Sequence, residues 1–128
     1  MARFDAIGLV VRDMSEAMDF YRKLGLEFVM GTESDGHTEA AGPNGLRVMF
    51  DTQEMMKSFS QWEPASGGHR VSLAFLCESP DEVNRLYHEL TVGGAPSHVA
   101  PFDAPWGQRY ATVLDPDDNA VDLFAPMS

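Results

Sequence analysis

Residues 13–25 read DMSEAMDFYRKLG and residues 79–90 read SPDEVNRLYHEL, and the likeness between them decides the fold. In the first stretch Asp13 has the short acceptor side chain of a helix N-cap, and Glu16 stands three residues on. Ala17, Phe20, Tyr21 and Leu24 then form an apolar stripe of helical period that stops at Gly25. The second stretch repeats these devices: Ser79 caps, Pro80 suits the first helical position, Glu82 closes the capping box, and Val83, Leu86, Tyr87 and Leu90 form the stripe before Gly93 and Gly94. Tyr21 matches Tyr87 and Leu24 matches Leu90 by one shift of 66 residues, the mark of an internal duplication.

An apolar run of strand character precedes each helix, FDAIGLVV in one copy and RVSLAFLC in the other. Short β-prone runs follow each. After the first helix they are LEFVMG, HTEAA and LRVMFD, broken at Asp35-Gly36 and at Pro43-Asn44-Gly45. After the second they are PSHVAP, QRYATVLD and AVDLFA, broken by the Pro-rich stretch around Pro101 and Pro105 and by the turn from Asp115 to Asn119. Strand, helix and three strands occur twice. The expected class is therefore α+β in a single domain spanning 1–128, with module one over about 3–51, a connection over about 52–68 and module two over about 69–126. In the first strands Ile7, Leu9 and Val11 alternate with Ala6, Gly8 and Val10, and Val71, Leu73 and Phe75 alternate with Ser72, Ala74 and Leu76. The bulkier set is expected against the helices, leaving Ala6, Gly8, Ser72 and Ala74 on a face with room above it.

At 128 residues the chain suits one domain with a real core, and its 44% hydrophobic and 23% charged residues are ordinary for a globular protein. Twenty acidic residues against nine basic give a net charge of −11, which repels phosphate backbones and anionic lipid; neither nucleic acid nor membrane is an expected partner. No run is long enough to cross a bilayer, and one cysteine, Cys77, makes no internal disulfide, so the expected location is cytoplasmic.

Val11-Arg12-Asp13 before the first helix, Phe20-Tyr21-Arg22-Lys23-Leu24-Gly25 at its end, and LDPDDNAVDLF near the C-terminus together resemble the vicinal oxygen chelate superfamily. That superfamily includes glyoxalase I, extradiol dioxygenases, fosfomycin-resistance enzymes and bleomycin-binding proteins. The resemblance implies two βαβββ modules forming a cupped mixed sheet, a homodimer, and ligand chemistry inside the cup. It also implies four places for metal ligands. The first-strand places fall on Ala6 and Ser72, and the last strand of module two offers Asp122. In module one the candidates are Arg47, Val48 and Met49, none a carboxylate. One suitable donor of four does not hold a divalent ion, so no metal and no cofactor are expected. His69 lies three positions before Ser72 and faces the other way along a strand; His37, His88 and His98 read as solvated.

The candidate site residues follow. Asp122 is the candidate general base if the chain is an enzyme, with a hydrogen-bonded or salt-bridged acid as the alternative, paired with Arg47 or Arg109. Trp106, in PWGQR, offers a flat indole face to a small organic ligand of cationic or aromatic character, and the stretch is similar to that of small antibiotic-binding relatives. Trp62, Met49, Ser72, Arg47 and Arg109 are the further candidates for contact with ligand. Three readings stand: a metal-independent binding protein that sequesters a small molecule such as an antibiotic; a metal-dependent lyase, isomerase or dioxygenase; and a metal-free enzyme using Asp122.

Overall fold

The computed structural model describes residues 1–64 and 70–127, which leaves His69 outside the described residues. Its elements run β1 (Ala6–Val11), α1 (Met14–Lys23), β2 (Glu27–Met30), β3 (His37–Ala41), β4 (Arg47–Thr52), α2 (Gln53–Phe59), β5 (Ser72–Leu76), α3 (Pro80–Val92), β6 (Ser97–Ala104), β7 (Gln108–Leu114) and β8 (Ala120–Pro126). Two compact units divide the chain, Met1–Ser66 and Gly67–Ser128. Each carries one four-stranded mixed sheet. The orders are β1-β4-β3-β2 and β5-β8-β7-β6, the same path written twice.

Local chemistry starts the helices where the sequence places them. The Asp13 carboxylate accepts from the Glu16 amide at 3.0 Å, and the Ser79 hydroxyl accepts from the Glu82 amide at 3.2 Å. The second capping box closes one residue early: Glu82 accepts at 2.9 Å from the amide of Glu78 rather than from that of Ser79. Gly25 at φ +93° and Gly94 at φ +107° take the left-handed conformation that turns the chain out of each helix.

In the first unit β1 runs parallel to β4, pairing Ile7 with Val48 and Leu9 with Phe50. Val48 and Phe50 are buried with Met14, Ala17, Met18 and Tyr21 of α1, so this face carries the core. Tyr21 and Phe50 have ring centroids 5.3 Å apart, and Phe28 closes on Phe50 at 5.2 Å. Ala6, Gly8, Arg47 and Met49 alternate onto the opposite face, where a side chain built on Gly8 would meet nothing within 4 Å. Met55 of α2 packs its methyl against Gly36, which anchors the connecting helix on the β2–β3 turn.

The second unit repeats the plan with different packing. Val83 and Leu90 of α3 are buried with Ala111, Val113, Val121, Leu123 and Ala125. Tyr87, the counterpart of buried Tyr21, is only half-buried and donates its hydroxyl to Ser97 at 2.6 Å. The β6 strand also departs from the sequence expectation, since it continues through Pro101 to Ala104 instead of breaking there. It is an edge strand, paired only with β7, and its register shifts between Val99 and Phe102. An edge position with a bulge tolerates a residue that has no amide proton, and a composition signal cannot reveal that the strand lies at an edge.

Candidate functional site

The loop before β8 sets the position of Asp122. Asp115 Oδ1 accepts from the amides of Asp117 and Asn119, both at 2.8 Å, and its Oδ2 accepts from the Asn119 side-chain amide at 2.9 Å. Asp118 takes φ +64° in this turn. A turn closed on one buried carboxylate leaves β8 little freedom to slip, and β8 enters opposite β7 with Asp122 across from Thr112.

Three hydroxyl groups converge on the Asp122 carboxylate. Ser72 of β5 donates to Oδ2 at 3.0 Å, Tyr110 of β7 donates to Oδ2 at 2.5 Å, and Thr112 donates to Oδ1 at 2.7 Å. Asp122 is 8% exposed, so these bonds replace most of the water that a charged carboxylate would keep. Burial and the neighbouring Asp122 push the Tyr110 phenol up to about 12, so it remains a protonated donor at physiological pH.

Tyr110 joins this polar cluster to an aromatic one. Its neighbours across the sheet are Phe102 on β6 and Phe124 on β8, and Leu76 of β5 lies beyond Phe124. The stripe therefore crosses all four strands on the Asp122 face. Trp106, at the tip of the β6–β7 hairpin that turns at Gly107, stands over one end, 5.6 Å from the Tyr110 ring and 6.2 Å from that of Phe102. Its Nε1 donates to the Gln108 side chain at 2.8 Å, which holds the indole edge while 60% of the residue stays exposed.

The other candidates are distributed differently. Ser72 joins the Asp122 cluster. Arg109 alternates to the helix face, donating to Asn84 of α3 and Asp103 of β6, each at 3.0 Å, and so pairs within the protein rather than with Asp122. Arg47 and Met49 belong to β4 of the first unit, where Arg47 engages Asp5 and Glu39. Trp62 lies half-buried after α2, also in the first unit. Tyr110, Thr112, Phe102 and Phe124 escaped the sequence reading. The alternation in QRYATVL puts Tyr110 and Thr112 on one face, but only the register shows that this is the face of Asp122.

His37 is not merely solvated. It sits opposite Asp51 in the β3–β4 ladder, and its ring nitrogens lie 2.7 Å from Asp51 Oδ1 and 3.0 Å from Glu39 Oε2. Hydrogen bonds to Glu39 and then to Asp51 raise the imidazole pKa above its ordinary 6.5, and Arg47 first, then His37, holds Glu39 below the usual carboxylate range. A raised folded-state value makes protonated His37 a stabilising group below the ordinary pKa, and that contribution disappears as pH rises through the raised one. Wild type should therefore exceed His37→Gln in unfolding temperature at pH 5.5 by more than at pH 8.5, which thermal melts by circular dichroism will read. An equal gap at the two pH values would remove the charged pairing.

A family model for the Glyoxalase/Bleomycin resistance protein/Dioxygenase superfamily matches residues 3–123. The chain belongs to this superfamily. Its two mixed sheets with helices are the α+β vicinal oxygen chelate fold. Solved structures agree on that fold at low identity. A glyoxalase/bleomycin resistance protein/dioxygenase family enzyme from Burkholderia phytofirmans superimposes with TM-score 0.84 at 19% identity, covering 98% of this chain and 100% of that one. A hypothetical protein from S. aureus gives 0.83 at 17%, covering 98% and 95%. A glyoxalase-related enzyme from Fulvimarina pelagi gives 0.80 at 19%, covering 98% and 88%. No curated protein matches the chain.

The superfamily's metal positions can now be placed by register. Gly8 pairs with Met49 as Ala74 pairs with Asp122, so Met49 is the first unit's counterpart of Asp122. The positions that the resemblance implies are then Ala6 and Met49 in the first unit, and Ser72 and Asp122 in the second. An alanine and a thioether contribute no hard donor, and the Ser72 hydroxyl already gives its proton to Asp122. These residues do not fit a divalent ion. Among the described residues no other group of three or more His, Cys, Asp or Glu side chains forms a metal site either.

Proposed function

We propose that this superfamily member is a metal-independent binding protein for a small organic molecule, held on the Asp122 face of the second sheet. One observation carries the reading: Tyr110 ties the exposed rings of Phe102 and Trp106, and half-buried Phe124, to a buried carboxylate that accepts from three hydroxyls. Exposed aromatic rings grouped beside a few placed polar atoms are what a ligand with a flat apolar part needs. A set with one carboxylate and no imidazole at the superfamily's metal positions supports binding without an ion. Catalysis by Asp122 as a general base is disfavoured, because a carboxylate has about four acceptor positions and three hydroxyls fill three of them. Sequestration of an antibiotic in the cytoplasm by a homodimer is the biological form this reading takes.

The test uses the whole chain carrying Trp62→Phe, so that Trp106 is the sole indole reporter. Titration with 1-naphthylmethylammonium should quench or shift the Trp106 emission in a saturable way, and dialysis against EDTA should leave the midpoint unchanged. In the Trp106→Ala chain, followed by calorimetry, affinity should fall about tenfold, the loss expected for about 1.4 kcal/mol of ring contact. An affinity that vanished after EDTA treatment and returned with zinc or manganese would overturn the metal-independent reading.

A further inference from the structure

Which atoms hold the protons in the Asp122 cluster sets the polarity of the surface beside the aromatic stripe. Ser72 and Tyr110 each carry one hydroxyl proton, and both protons are committed to Asp122 Oδ2. Thr112 commits its own to Oδ1. A hydroxyl whose proton is bound can offer an incoming group only lone pairs. The Asp122 cluster therefore presents acceptors: the Tyr110 phenolic oxygen, the Ser72 oxygen and the carboxylate behind them, while the Gln108 amide, whose oxygen takes the Trp106 proton, stands at the hairpin end of the same face. Burial and Asp122 both resist loss of the Tyr110 proton, which keeps that assignment fixed across the physiological range.

Two of the arginines of this unit are engaged away from this face. Between Arg70 and Met127 the sequence has three arginines against nine aspartates and glutamates. Arg109 is turned to the helix side, against Asn84 and Asp103, and Arg85 lies along α3 with Glu82 and Glu89. Tyr110 contributes to both halves of the surface, its ring to the aromatic stripe and its oxygen to the acceptor patch. A molecule that covers its ring brings its own substituent next to those acceptors.

Building on the binding reading above, we infer that the ligand is an aromatic cation whose charge sits on an N–H group, a primary or secondary ammonium or an amidinium one or two bonds from a flat ring. The ring lies against Trp106 and Phe102, and the N–H protons point at the Tyr110 and Ser72 oxygens. A quaternary ammonium satisfies the charge and leaves the acceptors unmet. A carboxylate meets acceptors with acceptors, and the site rejects it.

Three naphthalene probes separate these terms in the full-length Trp62→Phe chain at near-physiological salt: 1-naphthylmethylammonium, its N,N,N-trimethyl analogue, and 1-naphthylacetate. The first two carry equal charge, so general attraction by an acidic chain acts alike on both, and their difference isolates N–H donation. The primary ammonium should bind about tenfold tighter than the trimethyl analogue, as one charge-assisted hydrogen bond requires, and naphthylacetate should be weaker than either. Asp122→Asn frees a hydroxyl proton to point outward; it should weaken the primary ammonium by about tenfold and strengthen naphthylacetate. Equal affinity for the two ammonium probes, or a carboxylate bound as tightly as the ammonium, would overturn the inference and leave the binding reading standing. Failure of all three probes to perturb Trp106 would overturn both.

Discussion

Replacing Asp122 with alanine should cost the chain about 2–4 kcal/mol of unfolding free energy, because bonds from hydroxyls to a buried charge are worth about 1.5–3 kcal/mol each and do not add fully. Three donors lose their acceptor at once. Ser72 is exposed and recovers a water partner, while Thr112 is 5% exposed and does not. The Tyr110 hydroxyl loses the carboxylate it donates to while its ring remains held by Phe102, Trp106 and Phe124. Asp122→Asn keeps one acceptor oxygen and should cost about 1 kcal/mol. Urea unfolding followed by circular dichroism gives the totals, and hydrogen exchange across β5, β7 and β8 shows where protection is lost. An alanine variant within 0.5 kcal/mol of the parent, roughly the scatter of neutral surface changes, would mean that water replaces the hydroxyls at no cost.

Phe50→Ala should cost more, about 3–5 kcal/mol, a large part of the 5–15 kcal/mol typical of a whole domain. Phe50 has no exposed surface, and it is the ring on which both Tyr21 and Phe28 close. Removing it opens a cavity in the middle of β4, between Leu9 on β1 and Thr38 on β3. Relaxation is limited because α1 is tied to the same strands: Thr38 donates to the Met14 sulfur at 3.3 Å, and Tyr21 lies beneath. Phe50→Leu fills much of the space and should recover more than half of the loss. Exchange protection in α1, β1, β3 and β4 is the local measurement, and an alanine variant that keeps it would show that the core has collapsed around the gap.

These two residues also mark how far the sequence could be read. Asp122 was accessible because its register comes from a turn only a few residues away, where Asp115 binds the amides of Asp117 and Asn119. The caps at Asp13 and Ser79 were accessible for the same reason. Even there, the Glu82 bond to Glu78 differs by one residue from the expected box, since several nearby amides compete for one carboxylate. The partners of Asp122 were not accessible. Ser72 is 50 residues away, Tyr110 12 and Thr112 10, and they meet only because parallel β5 and antiparallel β7 both flank β8. The His37 pairing with Asp51 is hidden in the same way, across a ladder between two unremarkable strands.

Arg109 and Pro101 show the converse. Pro101 carries a local signal that interrupts strands, yet β6 runs through it, and Arg109, expected to contact ligand or to pair with acid of the protein, donates to Asn84 and Asp103. Arg109 faces the helix because its neighbour Tyr110 faces the other way. Pro101 stays within β6 because that strand has a partner on one side only.

The amino-acid order alone determined the duplication, the cap and stop of both main helices, the alternation of the strands, the superfamily resemblance and the carboxylate that it aligns at Asp122. All of these depend on residues a few places apart or on the kinds of side chain present. Tertiary structure decided which hydroxyls share the Asp122 carboxylate, which rings border it and which arginines are turned away. Those contacts are set by strand order and register, and a strand's own residues do not encode which neighbour it will receive.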